Sequence, residues 1–148
     1  MAQKILENEY FRLTLDDPEG IVRYTRSAVA YPSGKAAAAA LHEILGTTRR
    51  LSRHLYSLLT DVRAAPGRND SEFEQALGEL RHQLFDGFKK QATLVRTAVG
   101  RLQVERLARE RRTDSAHVFE SEEEALAYLL APSEPVARSS ERPAARYR

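Results

Sequence analysis

The chain has 148 residues, 23 of them basic and 21 acidic, for a net charge of +2, and 42% of it is hydrophobic. A single domain of this length buries a core of its own without staples. There is no cysteine, which excludes a disulfide framework, a thiolate metal site and a cysteine nucleophile, and so small a net charge does not argue strongly for nucleic acid, whose binding usually calls for a concentrated basic face.

Met1 to Glu9 carries charges and no long apolar run, so no secretory leader is expected. Nothing in the chain approaches the ~20 apolar residues of a spanning helix. The expected location is therefore the cytoplasm.

Phe11, Leu13 and Leu15 alternate with Tyr10, Arg12 and Thr14, the period of a strand. Asp16-Asp17-Pro18-Glu19-Gly20 has the chemistry of a turn, and Ile21 to Thr25 resumes a β-rich run with Val22 and Tyr24 on one face. Together they predict an antiparallel hairpin. Pro32-Ser33-Gly34 breaks the chain, and Ser33 is suited to cap a helix from Lys35 to about Arg53. Its apolar stripe is Ala37, Leu41, Ile44, Leu45 and Leu51, and the alanine run 36–40 favours helix and a close approach to a sheet.

Leu55 to Val62 is short and apolar on both sides, as a buried central strand requires. After the loop at Pro66-Gly67, Asn69 to Glu74 holds two overlapping capping boxes. Phe73, Ala76, Leu77, Leu80, Leu84, Phe85 and Phe88 then recur at threes and fours, predicting an amphipathic helix. Ala92 to Val95 predicts another buried strand. Gly100 to Arg111 predicts a highly charged helix with Leu102, Val104, Leu107 and Ala108 as its apolar contacts. Ala116 to Phe119 predicts a last short strand, and Ser121 with Glu124 opens a final helix buried through Ala125, Leu126, Leu129 and Leu130. Residues 132–148 hold three prolines, three serines, four arginines and two glutamates, the composition of a disordered tail.

The expected order, β-β-α-β-α-β-α-β-α, describes one α/β domain over residues 1–131. Its sheet has about five strands, is mixed but mainly parallel with right-handed crossovers, and starts with an antiparallel hairpin; about four helices cover it.

That order, with three segments, resembles the STAS fold of anti-sigma-factor antagonists, and more narrowly the bacterial STAS-like domains whose fold overlaps that of CRAL-TRIO lipid-binding proteins. The segments are Leu58-Leu59-Thr60-Asp61-Val62-Arg63; Phe88 through Val95 with Leu107-Ala108-Arg109 in the helix that follows; and His117 through Leu129. The resemblance spans roughly residues 8–131. It implies a non-enzymatic module that binds a partner protein, in some members under control of phosphorylation in an Asp-Ser-Ser-like motif at a helix start. The nearest equivalent here is Asp70-Ser71-Glu72, where Glu72 replaces a small residue. Ser71 is thus the candidate phosphorylation site, a helix N-terminus being favourable for phosphate; its plainer role is to cap the helix.

No residues qualify as catalytic, metal-binding or cofactor-binding. His42, His54, His82 and His117 are scattered, without ligand spacing. Ser33-Gly34-Lys35-Ala36 lacks the glycine at 29 and the hydroxyl at 36 of a phosphate-binding loop. Asp61 and Arg63 sit where α/β sheets place sites, yet such a pair more often holds its own turn.

The expected contact surface is therefore Asn69, Asp70 and Ser71 together with Arg101, Glu105, Arg106 and Arg109 on the basic helix, enlarged by Arg49, Arg50 and Arg53 if the two helices share a side. The expected function is a regulatory or scaffolding module for a protein partner, with a homodimer as an option, because an edge strand or an exposed apolar helix row needs cover. The alternatives are a carrier of a small apolar ligand or lipid, and a weak binder of nucleic acid or an anionic surface. The missing aromatics among the arginines weigh against single-strand binding.

Overall fold

The computed structural model describes residues 2–16, 18–66, 78, 80–84, 86–110 and 117–132. It is α/β, with a six-stranded sheet whose spatial order is the order of the chain. The strands are β1 (Ala2–Glu7), β2 (Phe11–Asp16), β3 (Ile21–Arg26), β4 (Ser57–Asp61), β5 (Gln91–Leu94) and β6 (Val118–Phe119). β2 runs antiparallel to both its neighbours, β1 and β3; β3 to β6 are parallel. The expected hairpin is β2–β3, closed at Gly20, whose φ of 68° suits glycine and whose N–H donates to the Asp16 carbonyl at 2.8 Å.

Helix α1 (Gly34–Thr48) starts at Ser33, whose hydroxyl accepts from the Ala36 N–H at 3.1 Å. It ends five residues short of the expected Arg53. Thr48 is buried, its hydroxyl donates to the Leu45 carbonyl, and a separate 3₁₀ turn at Arg53–Leu55 follows. Arg53 fastens this corner. Its guanidinium donates to the Thr48 hydroxyl and to the carbonyls of Gln83 and Asp86, and it lies over the Phe88 ring. Residues 80–84 are helical. Helix α2 (Ala98–Glu110) precedes β6, and α3 (Glu122–Leu130) ends the described chain, with Ser121 accepting from the Glu124 N–H at its start.

β4 is buried along its whole length and separates two cores. On one side Leu58 joins Phe11, Leu13, Leu15, Val22 and Tyr24 of the hairpin, Ala37, Leu41, Ile44 and Leu45 of α1, and Leu80 and Leu84. On the other side Leu59 joins Ile21, Ala92, Leu94, Ala125 and Leu129. The sheet advances one strand at a time in one direction, and crossovers of constant hand then lie on one face. α1 and residues 80–84 accordingly share the first core. α3 follows the last strand, is bound by no crossover, and covers the other face over β4, β5 and β6. The remainder of that face, over β1 to β3, is polar: the register aligns Lys4, Thr14 and Arg23 with Leu59, and Glu7, Arg12 and Thr25 with Asp61.

β1 lies outside what the sequence pattern predicts. Its register with β2 shifts between Lys4 and Leu6, so Ile5 is an extra residue that breaks the alternation. Leu55, expected to open the central strand, lies in the 3₁₀ turn and is exposed.

Ala125 has no exposed surface, and its small side chain allows α3 to lie close to Leu59 and Ile21. Ala125→Leu is expected to destabilise the protein by about 1–3 kcal/mol through overpacking. A urea unfolding midpoint equal to that of the wild type would contradict this packing.

Candidate functional site

Among the described residues, two places concentrate charged side chains. The first is the seam between the covered and the open halves of the α3 face. Asp61, at the end of β4, has a side chain only 6% exposed. Its Oδ1 accepts from the backbone N–H of Arg63 at 3.1 Å and from Arg63 Nε at 3.0 Å; its Oδ2 accepts from Arg63 Nη2 at 2.8 Å and Arg23 Nη2 at 3.3 Å. Glu122, in the first turn of α3, takes the other arms. Arg23 Nη1 and Nη2 reach its two oxygens at 3.1 and 3.0 Å, and Arg63 Nη2 reaches Oε1 at 2.9 Å. Two guanidinium groups and two carboxylates thus close a neutral ring with fork-on-fork geometry.

Burial pushes the Asp61 carboxyl up, but the hydrogen bonds from the Arg63 side chain and backbone, and from Arg23, outweigh it and hold it below the ordinary aspartate value. The Glu122 carboxyl is also held low, by the hydrogen bond from Arg23 first and then by Arg63, against a smaller desolvation effect. The position of Glu122 at a helix N-terminus adds to this preference for the charged form. At the opposite end of α3, Lys90 Nζ donates to the carbonyls of Tyr128 and Ala131 at 2.9 and 2.7 Å and lies over the Tyr128 ring, which stacks on His117. α3 is therefore pinned at both ends by charges of the sign its dipole favours.

The second place is the outer surface of α2. Val99 and Leu102 are 75% and 65% exposed. Three residues apart, they share one side of the helix. Arg96, Arg101 and Arg106 are exposed around them. Arg101 donates to Glu105 at 3.4 Å and lies 3.9 Å from Glu120, both weak pairs. The Gly100 N–H donates to the Thr97 hydroxyl at 3.0 Å, securing the first turn. Leu102 was expected among the apolar contacts of this helix and is instead exposed. At 3.6 residues per turn it stands more than about 100° around the helix from positions 104, 107 and 108, so it cannot share a stripe with them.

Of the expected contact residues, α2 carries Arg101, Glu105, Arg106 and Arg109 together. Asn69, Asp70 and Ser71 lie outside the described residues. Arg49 and Arg50, just after α1, are exposed. Arg49 donates to the Gln83 side chain at 3.4 Å, and Arg53 is taken up in the corner at the end of α1. Asp61 and Arg63 bond each other as the turn-holding role requires. Arg23 and Glu122, which complete their ring, come from 38 residues before and 61 after Asp61, and no local pattern signals them. Val99 was the other residue missed; its spacing to Leu102 was the available signal.

No described helix is long and apolar enough to cross a membrane. No protein-family model, no curated protein and no solved structure matches the chain.

Asp61→Asn removes one negative charge from between two guanidinium groups and is expected to cost about 1–3 kcal/mol at neutral pH. Because the folded carboxyl is held low, its contribution is complete above the unfolded aspartate value, near 3.9, and is lost as the pH falls through the folded value. The stability gap between wild type and Asp61→Asn in urea titrations is thus expected to narrow below about pH 4. A gap that stays constant down to about pH 2 would show that the ring is not what stabilises this seam.

Proposed function

We propose that the chain is a non-enzymatic regulatory or scaffolding module of the cytoplasm, of STAS-like type, that docks on an acidic partner protein through the outer surface of α2. The observation that carries this reading is the pair Val99 and Leu102, exposed side by side among Arg96, Arg101 and Arg106. Aliphatic side chains left in water next to cations fit a partner surface with an apolar patch rimmed by carboxylates. Burying both yields at most about 3–6 kcal/mol, and association itself costs at least about 4 kcal/mol. The pair therefore acts as an anchor, and neighbouring arginines and further surface must contribute. The exposed side chains of this helix include no aromatic ring on which a base would stack, so a protein fits the surface better than single-stranded nucleic acid.

The seam supports the absence of catalysis in this reading. Every oxygen of Asp61 and Glu122 accepts at least one bond from an arginine, and both carboxyls are held in the charged form. Neither is a proton donor at neutral pH, and neither has the raised value of a general acid. The order of strands and helices and the Asp-x-Arg end of β4 are the features that favour the STAS-like type.

The test is capture of partners from an extract of the source cells on the tagged protein, followed by titration of the captured protein, once purified, against wild type and Arg101→Glu/Arg106→Glu. The expected result is a specific acidic partner, a loss of affinity of about tenfold or more in the variant, and weaker binding as salt rises. A partner that binds the variant as tightly as the wild type, or the capture of no specific protein, would refute docking at α2.

A further inference from the structure

β1 is one end of the sheet, and the backbone groups along its outer side face no strand among the described residues. β6, at the other end, is only two residues long and is contacted by both α2 and α3. Among the described residues the longer open edge is therefore β1, six residues against two, and its residues have a particular order. The shift at Ile5 places Lys4 opposite Thr14 and Glu7 opposite Arg12, so Lys4 and Glu7 share the open polar face. Leu6 lies opposite Leu13, which is buried, and Leu6 and Ile5 both pack against the first core while remaining half-exposed. The run Lys4-Ile5-Leu6-Glu7 thus presents cation and anion on one face and two aliphatic residues on the other.

We infer that β1 pairs antiparallel with β1 of a second copy of this chain, Lys4 opposite Glu7 and Ile5 opposite Leu6, joining two six-stranded sheets into one. A two-fold axis between Ile5 and Leu6 makes both charge pairs attractive and both central pairs apolar. It also keeps the faces consistent, since each pair joins residues that already point to the same side of the sheet. The extra residue at Ile5 selects this partner. A regular strand would be one residue short against the bulge, whereas a second copy carries the matching extra residue. Edge strands are usually protected by charges and bulges; here the charges are complementary to themselves. Lys4 and Glu7 are exposed and, within one chain, already bonded at 2.9 Å, so pairing exchanges one exposed contact in each copy for two between the copies. This inference goes beyond the docking proposed for α2, which packs on the opposite end of the sheet. A four-residue ladder buries much less than the ~1,200–2,000 Å² of a standard interface, so the dimer is expected to be weak and reversible.

The test is sedimentation equilibrium of the full chain from about 10 µM to 1 mM, the range in which so small an interface would act. The wild type is expected to show a monomer–dimer equilibrium. Lys4→Glu alone and Glu7→Lys alone each set like charges opposite in both pairs, and each is expected to raise the dissociation constant about tenfold or more. The equimolar mixture of the two variants is expected to recover the dimer, because each altered strand complements the other. Circular dichroism checks that both variants fold. The Arg101→Glu/Arg106→Glu protein is expected to dimerise as the wild type does, whatever becomes of its partner. A second measurement uses only the wild type: carbodiimide coupling of mixed isotopically light and heavy protein should join Lys4 of one copy to Glu7 of the other. A wild type that stays monomeric throughout, single variants that dimerise normally, a mixture of folded variants that stays monomeric, or the absence of light–heavy coupling would each overturn the inference.

Discussion

Burial of β4 on both faces is the constraint on which the remaining structure depends. A strand with Leu58 on one side and Leu59 on the other cannot be served by a single layer of helices. The first face is covered by elements that the topology delivers without further provision, since crossovers of one hand between adjacent parallel strands must lie on one side. The second face has no crossover to cover it. Its cover is α3, nine residues long, well below the length at which a helix is stable alone. Ala125 and Leu129 supply the apolar contact, and the charged groups at the two ends hold the helix in register over β4 and β5.

The ring of Arg23, Asp61, Arg63 and Glu122 is best understood through that need. It stands where the apolar half of the second face meets the polar half, and α3 begins there. Asp61 is the deepest member and would be costly to bury without partners; Arg63, two residues away, satisfies one edge of the carboxylate in a turn, and Arg23 links it across the adjacent strand to Glu122. The four charges cancel, so the ring adds order without adding a field. A site with every strong acceptor already engaged has little left with which to hold a substrate. The same arrangement that fixes α3 therefore leaves its four charged groups occupied with one another.

What could be read from the sequence follows the range of each signal. The β2–β3 hairpin, the two-sided burial of β4, and the serine caps of α1 and α3 depend on residues within a few positions of one another, and their patterns appear directly in the chain. α1 was over-extended because Leu51 continues its apolar stripe, although it does so from the segment after Thr48, packed against the same core outside any helix. β1 was missed because the extra residue at Ile5 destroys the alternation that marks a strand, and because an edge strand with one open face is half polar. Asp61 and Arg63 could be paired by their spacing. Arg23 and Glu122 could not, since they are 99 residues apart and are brought together only when α3 crosses to the second face.

The two ends of the sheet differ in a way that bears on how the domain meets other molecules. At the β6 end the strand is two residues long and packed by α2 and α3, whose surfaces are side chains with backbone bonds internal to the helices. At the β1 end a partner encounters backbone, with charges and aliphatic residues in a fixed order along one strand. Side-chain surfaces are selective for chemistry and tolerant of shape, whereas an open strand edge accepts a strand of almost any sequence unless register and charge restrict it. The displaced register at Ile5 and the opposite charges of Lys4 and Glu7 supply that restriction within four residues. A domain built in this way keeps its helical side-chain surface and its longer strand edge at opposite ends of a six-stranded sheet.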